Sequence, residues 1–278
     1  FQRIAGVVLG SVPLAVALAF ELPMREILGL FLDRGDQVFS SRALPKGAVS
    51  RLIDLTRSVM GPKYDGMALR EALTEYLGDA KLGKALHHVV IPSVNVTRSH
   101  TKVFKTPHGP ASKGDERVLA VDVAMATSAA PAYFPSVEIN GELFADGGMF
   151  AVAPDQVALH EAEHFMGVDP DRVRMLSIGT GTSGYQPAEG VTDDSGAVGW
   201  LSDGRLLLTL ISVQQQHVQA MMEDRLRNRY LRLDAPWPPR AGLGIDVATA
   251  DSARLLTTMA HGTLQDVNAR RLESFLSR

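Results

Sequence analysis

Leu143-Phe144-Ala145-Asp146-Gly147-Gly148 runs an apolar strand into a carboxylate followed at once by two glycines. Upstream lies Ala126-Thr127-Ser128-Ala129-Ala130-Pro131-Ala132-Tyr133-Phe134-Pro135, whose small residues leave room for another element to pack close. Between the two, Asn140-Gly141 reads as a tight hairpin turn. The paired glycines let the backbone come close to a neighbouring loop or a ligand, so Asp146 can stand on a rigid edge facing a cleft. Alone, Asp-Gly-Gly would equally be a turn carrying a solvated carboxylate, and its flanks decide how it is read.

Working outward, the spacing predicts strands alternating with helices. Met24, Ile27, Leu28 and Phe31 form one apolar face of a helix begun by Pro23 and stopped at Gly35. Residues 36–50 read as a loop, and Asp65 caps a helix that runs through Leu77 to Gly78. Two strands are expected between His87 and Thr106, and helices over 118–130 and 154–166. A strand over 173–178 ends in the tight loop Gly179-Thr180-Gly181, and the Gly- and Asp-rich stretch 184–204 reads as a lid or active-site loop. A long helix over 206–227, a strand over 230–233 and a terminal helix over 253–275 complete the chain. The alternation argues for a parallel sheet covered on both faces, in a single domain over 1–278.

Composition narrows the chemistry. A chain of 278 residues with 45% apolar content can bury a full core without metals or disulfides as staples. With no cysteine, it has no disulfide, no thiolate nucleophile and no Cys-based zinc site. A net charge of -3 makes no case for a nucleic-acid polymer as partner. Residues 4–20 carry no charge, so a signal peptide or a membrane span competes there with a buried strand, sharp turn and helix. Gly6, Gly10 and Pro13 interrupt a uniform apolar helix and favour the strand over 1–5, the turn over 6–10 and the helix over 11–20.

The stretches 126–135, 144–154 and 175–181 together resemble the patatin-like phospholipases. Details over 88–93, 146–165, 214–216 and 230–234 are most similar to the bacterial branch that acts as cyclic-dinucleotide-activated effectors of antiphage defence. The resemblance implies a three-layer α/β/α sandwich with a mainly parallel sheet. It also implies hydrolysis of membrane phospholipid esters by a Ser/Asp dyad, without a cofactor or metal, at the cytoplasmic face of the inner membrane. A cyclic dinucleotide activator and a homo-oligomer come with that branch.

Carried over residue by residue, Asp146 is the general base and Gly6-Val7-Val8-Leu9-Gly10 is the nucleophile elbow. Both elbow glycines are present, but Val8 stands where the serine belongs, and an isopropyl group has no lone pair to attack an ester. The family's first strand and glycine-rich oxyanion loop precede the elbow, and only five residues precede Gly6 here, so a shortened N-terminus is expected. The family's Asn after Asp-Gly-Gly falls on Val152. Ser11 and Ser128 lack elbow geometry, so the expectation is a chain without phospholipase turnover. A non-catalytic lipid- or cyclic-dinucleotide-binding protein is the alternative.

One motif competes. His160-Glu161-Ala162-Glu163-His164 fits the zinc-peptidase pattern H-E-x-x-H. Ala158, Leu159, Ala162, Phe165 and Met166 share the apolar face of its helix, which puts both histidines on a solvated side. Pro170 stands where a third histidine would fall, and Glu189 is the remaining ligand to consider. Arg225, Arg227, Arg229 and Arg232 form a basic run, read either as a solvated helix end and strand or as a phosphate or headgroup contact.

Overall fold

The structure is a computed structural model and describes residues 5–9, 12–39, 61–109, 112–181, 200, 205–238, 243–244, 246–267 and 269–277. Strand β1 (Ala5–Leu9) leads to helices α1 (Val12–Ala19) and α2 (Met24–Val38), and α3 (Met67–Leu77) follows. Strands β2 (Val90–Asn95) and β3 (His100–Lys105) precede α4 (Ala120–Thr127) and the hairpin β4 (Val137–Ile139) and β5 (Glu142–Asp146). Helix α5 (Asp155–His160), β6 (Arg174–Ile178), α6 (Arg205–Leu226), β7 (Tyr230–Leu233), α7 (Ala250–Asp266) and α8 (Ala269–Ser277) complete the order.

The α/β class holds, but among the described residues the strands divide into two sheets. One has the order β1-β6-β7 and is parallel throughout. The other has the order β3-β2-β5-β4 and is antiparallel at every pairing, which corrects the expectation of a mainly parallel sheet. Loop length is the reason for two of the three pairings, β2–β3 and β4–β5. The turn over 96–99 and the two residues Asn140-Gly141 are too short for a crossover, so their strands can only pair antiparallel. Asn140 and Gly141 have φ of 53° and 80°, the two left-handed residues of a hairpin whose twist matches its strands.

The first core cluster gathers around α4, whose residues Val123, Ala124 and Ala126 are wholly buried. Small side chains on that helix let it press against α3 on one side and β2, β4 and β5 on the other. A second cluster joins Leu159 of α5, Met175 of β6, Met222 and Leu226 of α6, and Tyr230 of β7. Helix α5 touches both β1 and β2, and so lies between the two sheets.

Several boundaries move from those expected. The first strand spans Ala5–Leu9, pairing with β6 from Ala5↔Arg174 to Leu9↔Ile178, in place of the turn expected from Gly6. The apolar run Val7-Val8-Leu9 suits a parallel strand better than a bend. Residues 1–4 and the second elbow glycine, Gly10, lie outside the described residues, as does Ser11. Helix α2 runs three residues past Gly35, where an added Cβ would meet Ala248 at an ordinary 3.4 Å. Its expected apolar face is mostly uncovered: Ile27 is buried, while Met24, Leu28 and Phe31 are exposed. The expected terminal helix is two helices, α7 and α8. Apart from Trp200, the stretch 184–204 lies outside the described residues. No described helix is long and apolar enough to cross a membrane.

Candidate active site

Asp146 closes β5, opposite Ser93 of β2. Its own N–H donates to the carbonyl of Ala129 at 3.0 Å, which ties the strand end to the small-residue segment after α4. Ser93 donates through Oγ to the Ala145 carbonyl at 2.7 Å, and Thr127 through Oγ1 to the Pro92 carbonyl at 2.7 Å. These bonds fix the backbone on both sides of the carboxyl group, and none of them uses the carboxyl itself.

Gly147 and Gly148 form a short 3-10 turn with Met149. A Cβ on Gly147 would come within 2.2 Å of the Pro92 carbonyl oxygen, so only glycine allows the turn to pack on β2. Gly148 donates its N–H to Asp146 Oδ1 at 2.6 Å. Burial pushes the Asp146 carboxyl from its ordinary 3.8 up to about 6, and the Gly148 N–H holds it back from rising further. A carboxylate with this affinity for a proton is suited to accept one near neutral pH.

Val8 is the fourth residue of β1 and pairs with Ser177 of β6. Gly6 pairs with Met175 in the same ladder. Beside the parallel sheet, Val152, Ala153, Pro154 and Asp155 line a small cavity together with Ser177 and Arg232. Val152, the position that the resemblance gives to the family's Asn, lines this cavity, and its Cγ2 would lie 3.9 Å from a Cβ on Gly148. Ser128 is half-buried just past α4, where its N–H donates to Ala124 and Met125 carbonyls.

Beneath that cavity is a polar network that sequence reading missed. Tyr230 donates its hydroxyl to Asp155 Oδ1 at 3.1 Å; burial first, then the Asp155 charge, push the phenol up to about 12. Arg232 donates to Ser177 Oγ at 2.7 Å and to Asp234 Oδ2 at 2.6 Å. The loop Gly179-Thr180-Gly181 wraps the same carboxylate: Gly181 N–H donates to Asp234 Oδ1 at 2.9 Å. A Cβ on Gly179 would sit 2.0 Å from Asp234 Oδ2. Arg232 is therefore a buried structural cation, unlike the solvated member of a basic run that its sequence context suggests. Arg225 and Arg229 do lie at the surface end of the group, on Glu163 and Asp171 respectively.

In the H-E-x-x-H segment, His160 and His164 are exposed and stacked, with ring centroids 5.1 Å apart. Glu161 departs from the expected solvated face. It is buried, with Lys105 at 2.6 Å and His108 at 2.9 Å on its two oxygens. The helix passes into a π turn over Glu161–Phe165, which turns Glu161 inward away from the histidines. No group of three or more His, Asp or Glu able to hold a metal occurs among the described residues; Glu189 lies outside them.

The α/β frame sets a half-buried carboxyl at a strand end beside a Gly-Gly turn. Residues 1–159 match the family Patatin-like phospholipase, and the chain belongs to that family. By family it is a hydrolase of carboxylic esters. A Pseudomonas aeruginosa protein described as cGAMP-activated phospholipase is 37% identical over 84% of this chain and 68% of its own length. Proteins of the same description from Vibrio cholerae and Escherichia coli are 31% and 29% identical, over 94% and 99% of this chain and 78% and 81% of theirs. A solved structure, VipD of Legionella pneumophila, covers 91% of this chain and 50% of its own at 12% identity with a TM-score of 0.32.

Proposed function

We propose that the chain is the body of a phospholipid acyl hydrolase with Asp146 as general base and position 8 as the nucleophile's place, and that Val8 leaves it without ester turnover. The observation that carries this reading is the Asp146 carboxyl: half-buried on a fixed strand end, held by the Gly148 N–H and raised to about 6. In such a dyad the carboxylate takes the serine proton as the hydroxyl oxygen attacks the acyl carbon, then returns it to the departing alcohol. Valine has no proton to give and no oxygen to attack with. The substrate is membrane phospholipid, met at the inner face of the cytoplasmic membrane, and the activator is a cyclic dinucleotide. Support for the activator comes from the descriptions of the three bacterial relatives.

Val8 itself favours a second reading, a protein that binds lipid or cyclic dinucleotide and does not turn over. Hydrolysis of fluorogenic phospholipid vesicles separates the two. The comparison is between the chain as it stands and Val8→Ser with a glycine-rich oxyanion loop placed ahead of Phe1, each with and without cGAMP. Turnover confined to the Val8→Ser form supports the dyad. Equal turnover in both forms would mean that the nucleophile is elsewhere. Silence in both, with cGAMP bound, would favour the binding protein.

A further inference from the structure

A cavity of about 910 Å³ lies on the antiparallel sheet, separate from the cavity beside Val152. One bank is the β2–β3 turn and β3 itself, which supply Arg98, His100 and Lys102. The opposite bank is the turn over 113–117, which supplies Lys113 and Arg117. Asp115, buried in that turn, accepts from Lys102 Nζ at 2.7 Å and from the Lys105 N–H at 3.1 Å, so the two banks are pinned a fixed width apart. The floor is Asn95 with the rings of Phe104 and Phe144, whose centroids are 5.2 Å apart.

We infer that this cavity is the site for the cyclic dinucleotide, an inference that rests on the activator named above. The ring of such a ligand carries one phosphodiester on each side, and the cavity presents cations on each of two facing banks. Among the described residues Lys113 meets no carboxylate, and Arg117 has only a loose partner, Glu116 at 3.8 Å. Arg98 lies on Glu142 with its own side chain largely exposed, where an ion pair contributes little, and Glu142 keeps Asn95 Nδ2 at 2.6 Å when Arg98 turns to phosphate. Glu138 and Asn140, at the β4 end of the cavity, offer acceptors for the ring N–H and amino groups of a purine. The volume lies in the range of small-ligand sites.

The cavity is also joined to the catalytic carboxyl. Lys102 and Asp146 are the two cross-strand partners of Ser93, on the same face of the sheet. Phe144 in the floor stands two residues before Asp146, about 7 Å along one strand. A ligand held between the banks therefore bears on the strand that positions the general base.

Isothermal titration of cGAMP into the chain as it stands tests the assignment, and needs no hydrolysis. Each of Arg98→Ala, Lys113→Ala and Arg117→Ala is expected to weaken binding roughly tenfold, the effect of removing one cation from a phosphate. Arg225→Ala, far from the cavity, is the control and should bind unchanged. GMP, with a single phosphate, is expected to bind far more weakly than cGAMP. Binding of cGAMP unaffected by all three cavity variants would overturn this site and leave dinucleotide control standing. Equal affinity for GMP would overturn the dinucleotide assignment. No binding of cGAMP to the unaltered chain would overturn both the site and dinucleotide control, and leave the acyl-hydrolase reading to its own test with Val8→Ser.

Discussion

Replacing Asp146 by Asn removes a charge that the fold holds at a cost. A carboxyl whose pKa rises from 3.8 to about 6 on folding is bound to its proton more tightly in the native than in the unfolded chain. Stability therefore falls as pH rises from about 4 to about 6, and the full cost is carried above about 6. At about 1.4 kcal/mol per pH unit, the ceiling is about 3 kcal/mol. The Asp146 residue keeps part of its surface in solvent, and screening reduces the figure to about 1–2 kcal/mol. Asparagine keeps the shape and an oxygen to accept the Gly148 N–H, at some loss of bond strength because its charge is gone. Asp146→Asn is thus expected to be more stable than the unaltered chain at pH 7.5 by about 1–2 kcal/mol, with the advantage vanishing near pH 4. Urea unfolding of both proteins at half-unit steps from pH 4 to 8 measures it. Parallel curves, or an Asn variant that is less stable at pH 7.5, would refute a carboxyl raised by its surroundings.

Gly147→Ala forces a methyl against the Pro92 carbonyl and should cost more than about 2 kcal/mol, read as a fall in Tm, whereas a Tm within a degree would show that β2 yields freely. Glu161→Ala leaves Lys105 buried without its partner and should destabilise by about 3–5 kcal/mol, measured by urea unfolding. A destabilisation below about 1 kcal/mol there would reopen Glu161 for a role other than structure. In a Val8→Ser background, turnover should rise with pH through about 6 as Asp146 ionises, and a profile flat from pH 5 to 8 would remove Asp146 as the base.

Local chemistry is legible where a few neighbouring residues decide the geometry. Asn140-Gly141 announces the hairpin because two left-handed residues are hard to place elsewhere, and that hairpin delivers β5 to Asp146. Gly147 announces a close approach, though not that its neighbour is Pro92. The sheet division is harder to read, since alternation of strands and helices does not say which strands meet. The Val8 segment departs from expectation for a related reason: elbow glycines suggest a bend, while Val7-Val8-Leu9 prefers the ladder with β6. Glu161 and Arg232 look like surface residues in their own segments. Their burial depends on Lys105 and His108, more than fifty residues before Glu161, and on Ser177, fifty-five before Arg232.

A fluorophosphonate ester, which phosphonylates an activated serine hydroxyl and can be located by peptide mass, addresses the central claim with no need for a vesicle. A label is expected at position 8 in Val8→Ser carrying the added oxyanion loop. None is expected in the chain as it stands, and the label should be strongly reduced when Asp146→Asn is added. A label on the unaltered chain, at Ser11, Ser128 or any other hydroxyl, would contradict the assignment of position 8 and Asp146 as the reacting pair.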